Sequence, residues 1–127
     1  MNKAGLGTSG SATAWYVIPG DSYLVRWFNT LHWPYTMWNL SYVAIGAALA
    51  DEVRWDVLGW TCLAFFLGMG VAAHALDLLK GDPLALRLPR AHLVVVAVVS
   101  LALAALVGVM NIVWGNVPAE MALGILF

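Results

Sequence analysis

The chain has 127 residues, 62% of them apolar and 10% charged, with six basic against seven acidic side chains for a net charge of −1. Soluble domains usually carry about 25% charge, and a soluble fold of this size has no way to keep so much apolar surface from water. A near-neutral chain without a basic cluster also excludes a nucleic-acid-binding surface, and a lone cysteine, Cys62, excludes an intrachain disulfide.

In chain order, residues 1–14 are rich in Gly, Ser, Thr and Ala and lack the apolar core of a secretory signal peptide. With the stretch up to residue 20 they read as a flexible tail, and residues 21–127 as one transmembrane domain. Leu24, Trp27, Phe28 and Leu31 then recur at i, i+3, i+4 and i+7, with Arg26, Asn29 and Thr30 off that stripe. This pattern predicts a short helix in the membrane interface, capped by Asp21 or Ser22. An irregular pre-membrane linker fits the same residues.

Three apolar blocks follow, each near the roughly 20 residues that a helix needs to cross a bilayer core. The first is predicted to span residues 34–50, with Pro34 in the first helical turn and Trp33, Tyr35 and Trp38 as an interfacial aromatic belt. The second spans 57–79, with Asp56 as its cap, Trp55 and Trp60 at its interface, and Gly81-Asp-Pro83 as its stop. Cys62 within it reads as a small hydrophobe. The third spans 91–114. Pro118 is placed to begin a fourth helix that reaches Phe127 after about ten residues, too short to span. The chain therefore reads as the N-terminal part of a longer polytopic protein, or as one with a re-entrant or interfacial C-terminal tail. Ala64, Gly68 and Ala72 form one small-residue stripe, and Ser100, Ala104 and Gly108 another, as close helix packing in lipid requires.

Basic residues set the orientation. Lys3, Arg26, Lys80, Arg87 and Arg90 fall before the first span or between the second and third, whereas Arg54 stands alone in the first loop beside Asp51, Glu52 and Asp56. The positive-inside rule places the N-terminus and the second loop in the cytoplasm. His32, His74, Asp77 and His92 then all come to the cytoplasmic face, and His74 and Asp77, at i and i+3, share a helix face.

Ionisable groups at membrane depth are functional candidates by default. In one reading the histidines and Asp77 ligate a transition metal. In another, Asp77 and Asp82 hold Mg²⁺ while Lys80, Arg87 and Arg90 neutralise a diphosphate. The plainer alternatives make the three basic residues headgroup anchors, leave His32 and His92 in the interface, and use Asp82 before Pro83 as turn chemistry. His74 and Asp77, closest to the apolar core, are the catalytic candidates, with interhelix hydrogen bonding as the alternative. Asn39 and Asn111 read as interhelix polar contacts.

His32-Trp-Pro-Tyr, leading into an apolar helix that ends Gly46-Ala-Ala-Leu-Ala, resembles the opening helix of the UbiA-type membrane prenyltransferases. Ala73-His-Ala-Leu-Asp77 followed by Gly81-Asp-Pro-Leu-Ala-Leu-Arg-Leu-Pro89 is similar to a reduced form of that family's aspartate-rich loop. The same residues resemble prokaryotic polytopic membrane proteins with a His-Ala-Leu-Asp…Gly-x-Pro-Leu signature. The resemblance covers roughly residues 30–92. It implies an all-helical membrane enzyme using Mg²⁺ and a prenyl diphosphate, with Asp77, then Asp82, on the metal-diphosphate. The family's run of further aspartates is missing, His74 stands near its Asn-Asp, and its second aspartate-rich region would lie beyond Phe127.

The expectation is an all-α polytopic transmembrane bundle of a prokaryotic inner membrane, among membrane lipids, with its N-terminus in the cytoplasm. Its expected function is prenyltransferase-like chemistry on an isoprenoid or lipid-like substrate at the cytoplasmic face. The alternatives are an accessory subunit packed against partner helices of a larger membrane complex, and a histidine-based metal or pigment site.

Overall fold

The computed structural model describes residues 14–123, which among themselves form helices and turns without strands. Ser22 is extended and its Oγ accepts the Val25 N–H at 3.3 Å, opening α1 (Tyr23–Thr30). His32 then takes a left-handed conformation, φ 46° and ψ 60°, and turns the chain into α2 (Trp33–Ala48). Pro34 sits in the first turn of α2, where its missing N–H costs nothing. Residues 14–20, expected as part of a loose tail, are tied to α1. The Asn29 side chain accepts the Ile18 N–H and donates to the Ile18 carbonyl, both at 2.9 Å. The expected tail at 1–13 and the end of the expected fourth segment at 124–127 lie outside the described residues. Before the latter, Ala119–Ala122 make one 3₁₀ turn.

α3 (Trp55–Phe65) and α4 (Ala73–Lys80) are the two ends of one continuous helix, Trp55–Lys80, joined by a π-helical stretch, Phe66–Ala72. After a loop, α5 runs over Arg90–Val113. At 1.5 Å per residue these helices of 26 and 24 residues are about 39 and 36 Å long. Both are long and apolar enough to cross a membrane. α2, with 16 residues, is about 24 Å long, less than the ~30 Å hydrocarbon core. It starts one residue before the predicted span and ends two before it, at Ala48.

Residues of the two small-residue stripes come together between the two long helices. A Cβ added at Gly68 would lie 3.9 Å from Ala104 Cβ, Ala72 and Ala97 are fully buried, and Ser100 is buried beside them. Towards the Lys80 end, Ala75, Leu86, Leu88, Leu93 and Ala97 form the core, covered by Trp27, Leu78, Leu79 and Leu84. The loop that follows α4 is thus an anchored segment. On its outer side α5 exposes Val95, Val98, Val99, Leu106 and Val109, a surface suited to hydrocarbon.

Three sequence expectations are corrected. The cap of α3 is Arg54, and Asp56 lies inside the first turn, paired with the Arg54 guanidinium at 2.9 Å. Trp33 leaves the expected aromatic belt: its ring is half-buried between Phe28 and Phe66, at centroid distances of 5.0 and 6.3 Å, because the left-handed turn at His32 brings it back beside Phe28. Asn39 and Asn111 donate to carbonyls one turn back on their own helices, Tyr35 and Val107, rather than across helices. That geometry is within reach of any helical Asn and satisfies its amide locally.

Candidate functional site

The π-helical stretch places the central side chain. The Ala73 N–H bonds to the Gly68 carbonyl five residues back, in the wider register typical of π-turns. One turn beyond Gly70, His74 Nδ1 lies 2.8 Å from the Gly70 carbonyl oxygen. A carbonyl only accepts, so Nδ1 carries a proton in this contact and, in the neutral ring, Nε2 is the acceptor. His74 is buried, 9% exposed, so this tautomer is held in a site largely shielded from solvent.

Around it lies an aromatic cluster assembled from four parts of the chain. His32 stands edge-on to His74 with ring centroids 5.6 Å apart. Tyr35, one turn into α2, lies 5.7 Å from His74 and 6.1 Å from His32. Tyr16, from the segment tied down by Asn29, packs on His32 at 4.6 Å. Of these residues, Tyr16, His32 and His74 border a cleft of about 380 Å³ that also includes Asn29, Thr30 and Asp77. Thr36 is fully buried beneath, its hydroxyl donating to the Leu31 carbonyl.

The cleft brings together His74 and Asp77, as expected from their spacing, and adds His32. The other predicted residues go elsewhere. His92 Nδ1 lies 2.9 Å from the Tyr23 hydroxyl, at the junction of α1 with α5. Asp82 accepts the backbone N–H groups of Leu86 and Arg87 on its two oxygens, at 2.8 and 2.7 Å, so its carboxylate is engaged in closing the loop. Arg87, itself at φ 53°, presents its carbonyl to Arg26 Nη1 at 3.4 Å. Lys80 reaches Asp77 at 3.7 Å with both side chains exposed, a pair worth little in water. Lys80 and Arg90 border a second, smaller cleft. Among the described residues, no group of three or more His, Cys, Asp or Glu side chains is placed to hold a metal.

Sequence reasoning missed Tyr16, Tyr35 and Gly70 as parts of this site. His32-Trp-Pro-Tyr carries a signal for Tyr35, which follows His32 by three residues and so returns to its side after one helical turn. Nothing local to Tyr16 or Gly70 marks them.

Burial, and next to it the nearby His74, hold His32 below the ordinary imidazole value of about 6.5. An imidazole depressed in the fold takes its proton more readily in the unfolded chain. Its protonation therefore leaves stability unaffected above about pH 6.5 and lowers it as pH falls from there through the folded value. In a ring-carbon NMR titration His32 is expected to titrate below 6.5, and His74→Gln to move it back upward. An ordinary midpoint, unmoved by His74→Gln, would contradict the packing.

The arrangement sets two imidazoles edge to edge with a carboxylate on the same cleft. Groups of these types are able to accept a proton and to hold a cation. No family model, curated protein or solved structure matches this chain.

Proposed function

We propose that this chain is an integral protein of a prokaryotic inner membrane, with its N-terminus in the cytoplasm, and that it contributes the cytoplasmic-face site of an enzyme acting on an isoprenoid or lipid-like substrate. The observation that carries the reading is the Nδ1–H bond from His74 to the Gly70 carbonyl, which fixes a buried imidazole at the border of a cleft shared with Asp77. In this reading His74 is the general base and Asp77 holds the polar end of the substrate, through Mg²⁺ where that end is a diphosphate. The prenyltransferase-like form draws further on the resemblance of residues 30–92. Asp82 falls out of the metal set because its oxygens are engaged by backbone. α2 makes a third, shorter crossing that local bilayer thinning accommodates.

Magnesium geranylgeranyl diphosphate, added to the full chain in nanodiscs, is the probe. It is expected to slow carbethoxylation of His74 at least tenfold, and Asp77→Asn to weaken its binding tenfold or more. Binding unchanged in both Asp77→Asn and His74→Ala, without protection of His74, would overturn the reading.

The exposed apolar face of α5 favours a second reading, an accessory subunit packed against partner helices in a larger complex. Polar substitutions at Val98 and Leu106 would then release co-purifying membrane subunits while leaving the His74 cleft intact.

A further inference from the structure

A second cleft opens beside the first, on the α5 side of the loop. α4 ends at Lys80, and Gly81 leaves it in extended conformation, φ −176° and ψ 147°. Leu86 and Leu88 are buried against Leu93 and Ala97, which draws the loop back across the helix ends. Pro89 then starts α5 with Arg90 as its first residue. Lys80 and Arg90, ten residues apart, are thereby brought to the border of one cleft of about 250 Å³. The remaining charged group there, Asp82, has both oxygens engaged by Leu86 and Arg87 N–H groups. Among the described residues Arg90 has no ion-pair partner, and Lys80 has only its long contact with the exposed Asp77. Leu78, Leu79, Leu88 and Leu93 supply the apolar border.

We infer that this cleft binds the phosphate group of an anionic lipid. A lysine and an arginine bordering one cavity suit phosphate, the first supplying a point charge and the second a planar fork. The cavity is below the 300–1,000 Å³ common for whole small-molecule sites, so it takes a headgroup and leaves the acyl chains outside. Its position fits that division: it lies where two helices of spanning length end, and both leucines and cations border it. Arg87, grouped with these two residues on sequence grounds, does not border the cleft. The inference rests on the membrane placement proposed above and is independent of the chemistry assigned to His74.

The full chain is reconstituted in phosphatidylcholine nanodiscs doped with phosphatidylglycerol, and lipid retained after transfer to detergent is counted by native mass spectrometry. Wild type is expected to keep phosphatidylglycerol in preference to phosphatidylcholine. The Lys80→Gln, Arg90→Gln double variant should lose that retention at least tenfold. Arg26→Gln, which removes a cation from the same end but outside the cleft, should change it less than twofold. A parallel arm adds inorganic phosphate: displacement of the lipid identifies phosphate itself as sufficient, and lack of displacement identifies the lipid-borne group, both supporting the site. Equal retention in the double variant and wild type, or an equal loss in Arg26→Gln, would overturn it. His74→Ala is expected to leave retention unchanged, so failure of the catalytic reading and failure of this one give different results.

Discussion

Gly70→Ala is expected to destabilise the helical bundle by about 1–3 kcal/mol, and Gly70→Leu by more, read as a fall in the unfolding midpoint of the purified protein in detergent. A Cβ at this position would lie 3.0 Å from Thr36 Cγ2 and 3.2 Å from Phe66 Cδ2. Thr36 has little room to yield. It is β-branched, 1% exposed and tied through its hydroxyl to the Leu31 carbonyl. The added methyl must therefore push α2 away from the π-helical stretch or twist the stretch itself. Either movement displaces the Gly70 carbonyl that holds His74 Nδ1, so loss of stability and loss of probe protection at His74 should appear together. Gly46→Ala and Gly59→Ala are the controls. A Cβ at either would meet nothing within 4 Å, and alanine is the better helix former, so both should be neutral or slightly stabilising.

Asn29→Ala is expected to cost about 1–3 kcal/mol by leaving the Ile18 N–H and carbonyl without their partners. Asn29 is 4% exposed, and one side chain closes both bonds, so no neighbouring group substitutes for it. The effect should be concentrated in the segment carrying Trp15 and Tyr16, where amide hydrogen exchange at Ile18 would accelerate. Freed from its tether, Tyr16 no longer covers His32. The His32 titration should then move up toward the ordinary imidazole value, since burial is the main cause of its depression. Hydrogen exchange at Ile18 as slow as in wild type would show that the tether lies elsewhere.

Both substitutions act on residues whose importance is invisible in the linear pattern, and the contrast with the legible parts has a physical basis. Ser22 as a cap, Gly81-Asp-Pro83 as a stop, the apolar lengths of the two long helices and the matching small-residue stripes all follow from local chemistry. Backbone propensity, capping and the period of one helix act over a few residues, so one stretch of sequence contains the whole cause. The pairing of His74 with Asp77 on one face belongs to the same class, because i, i+3 geometry is internal to a helix.

What composition and periodicity determined alone was an all-helical chain with long apolar helices and a polar stretch, residues 74–90, rich in ionisable groups. Tertiary packing made the remaining choices. It swung His32 through a left-handed turn onto His74, folded Trp33 inward, and set the wider register whose Gly70 carbonyl orients the imidazole. It also divided the basic loop, leaving Lys80 and Arg90 on one cleft and Arg87 beside Arg26. These outcomes depend on where helices cross and how closely their backbones approach. Such distances are set by residues far apart in sequence, as His32 and His74 or Thr36 and Gly70 are, between which no local rule transmits information.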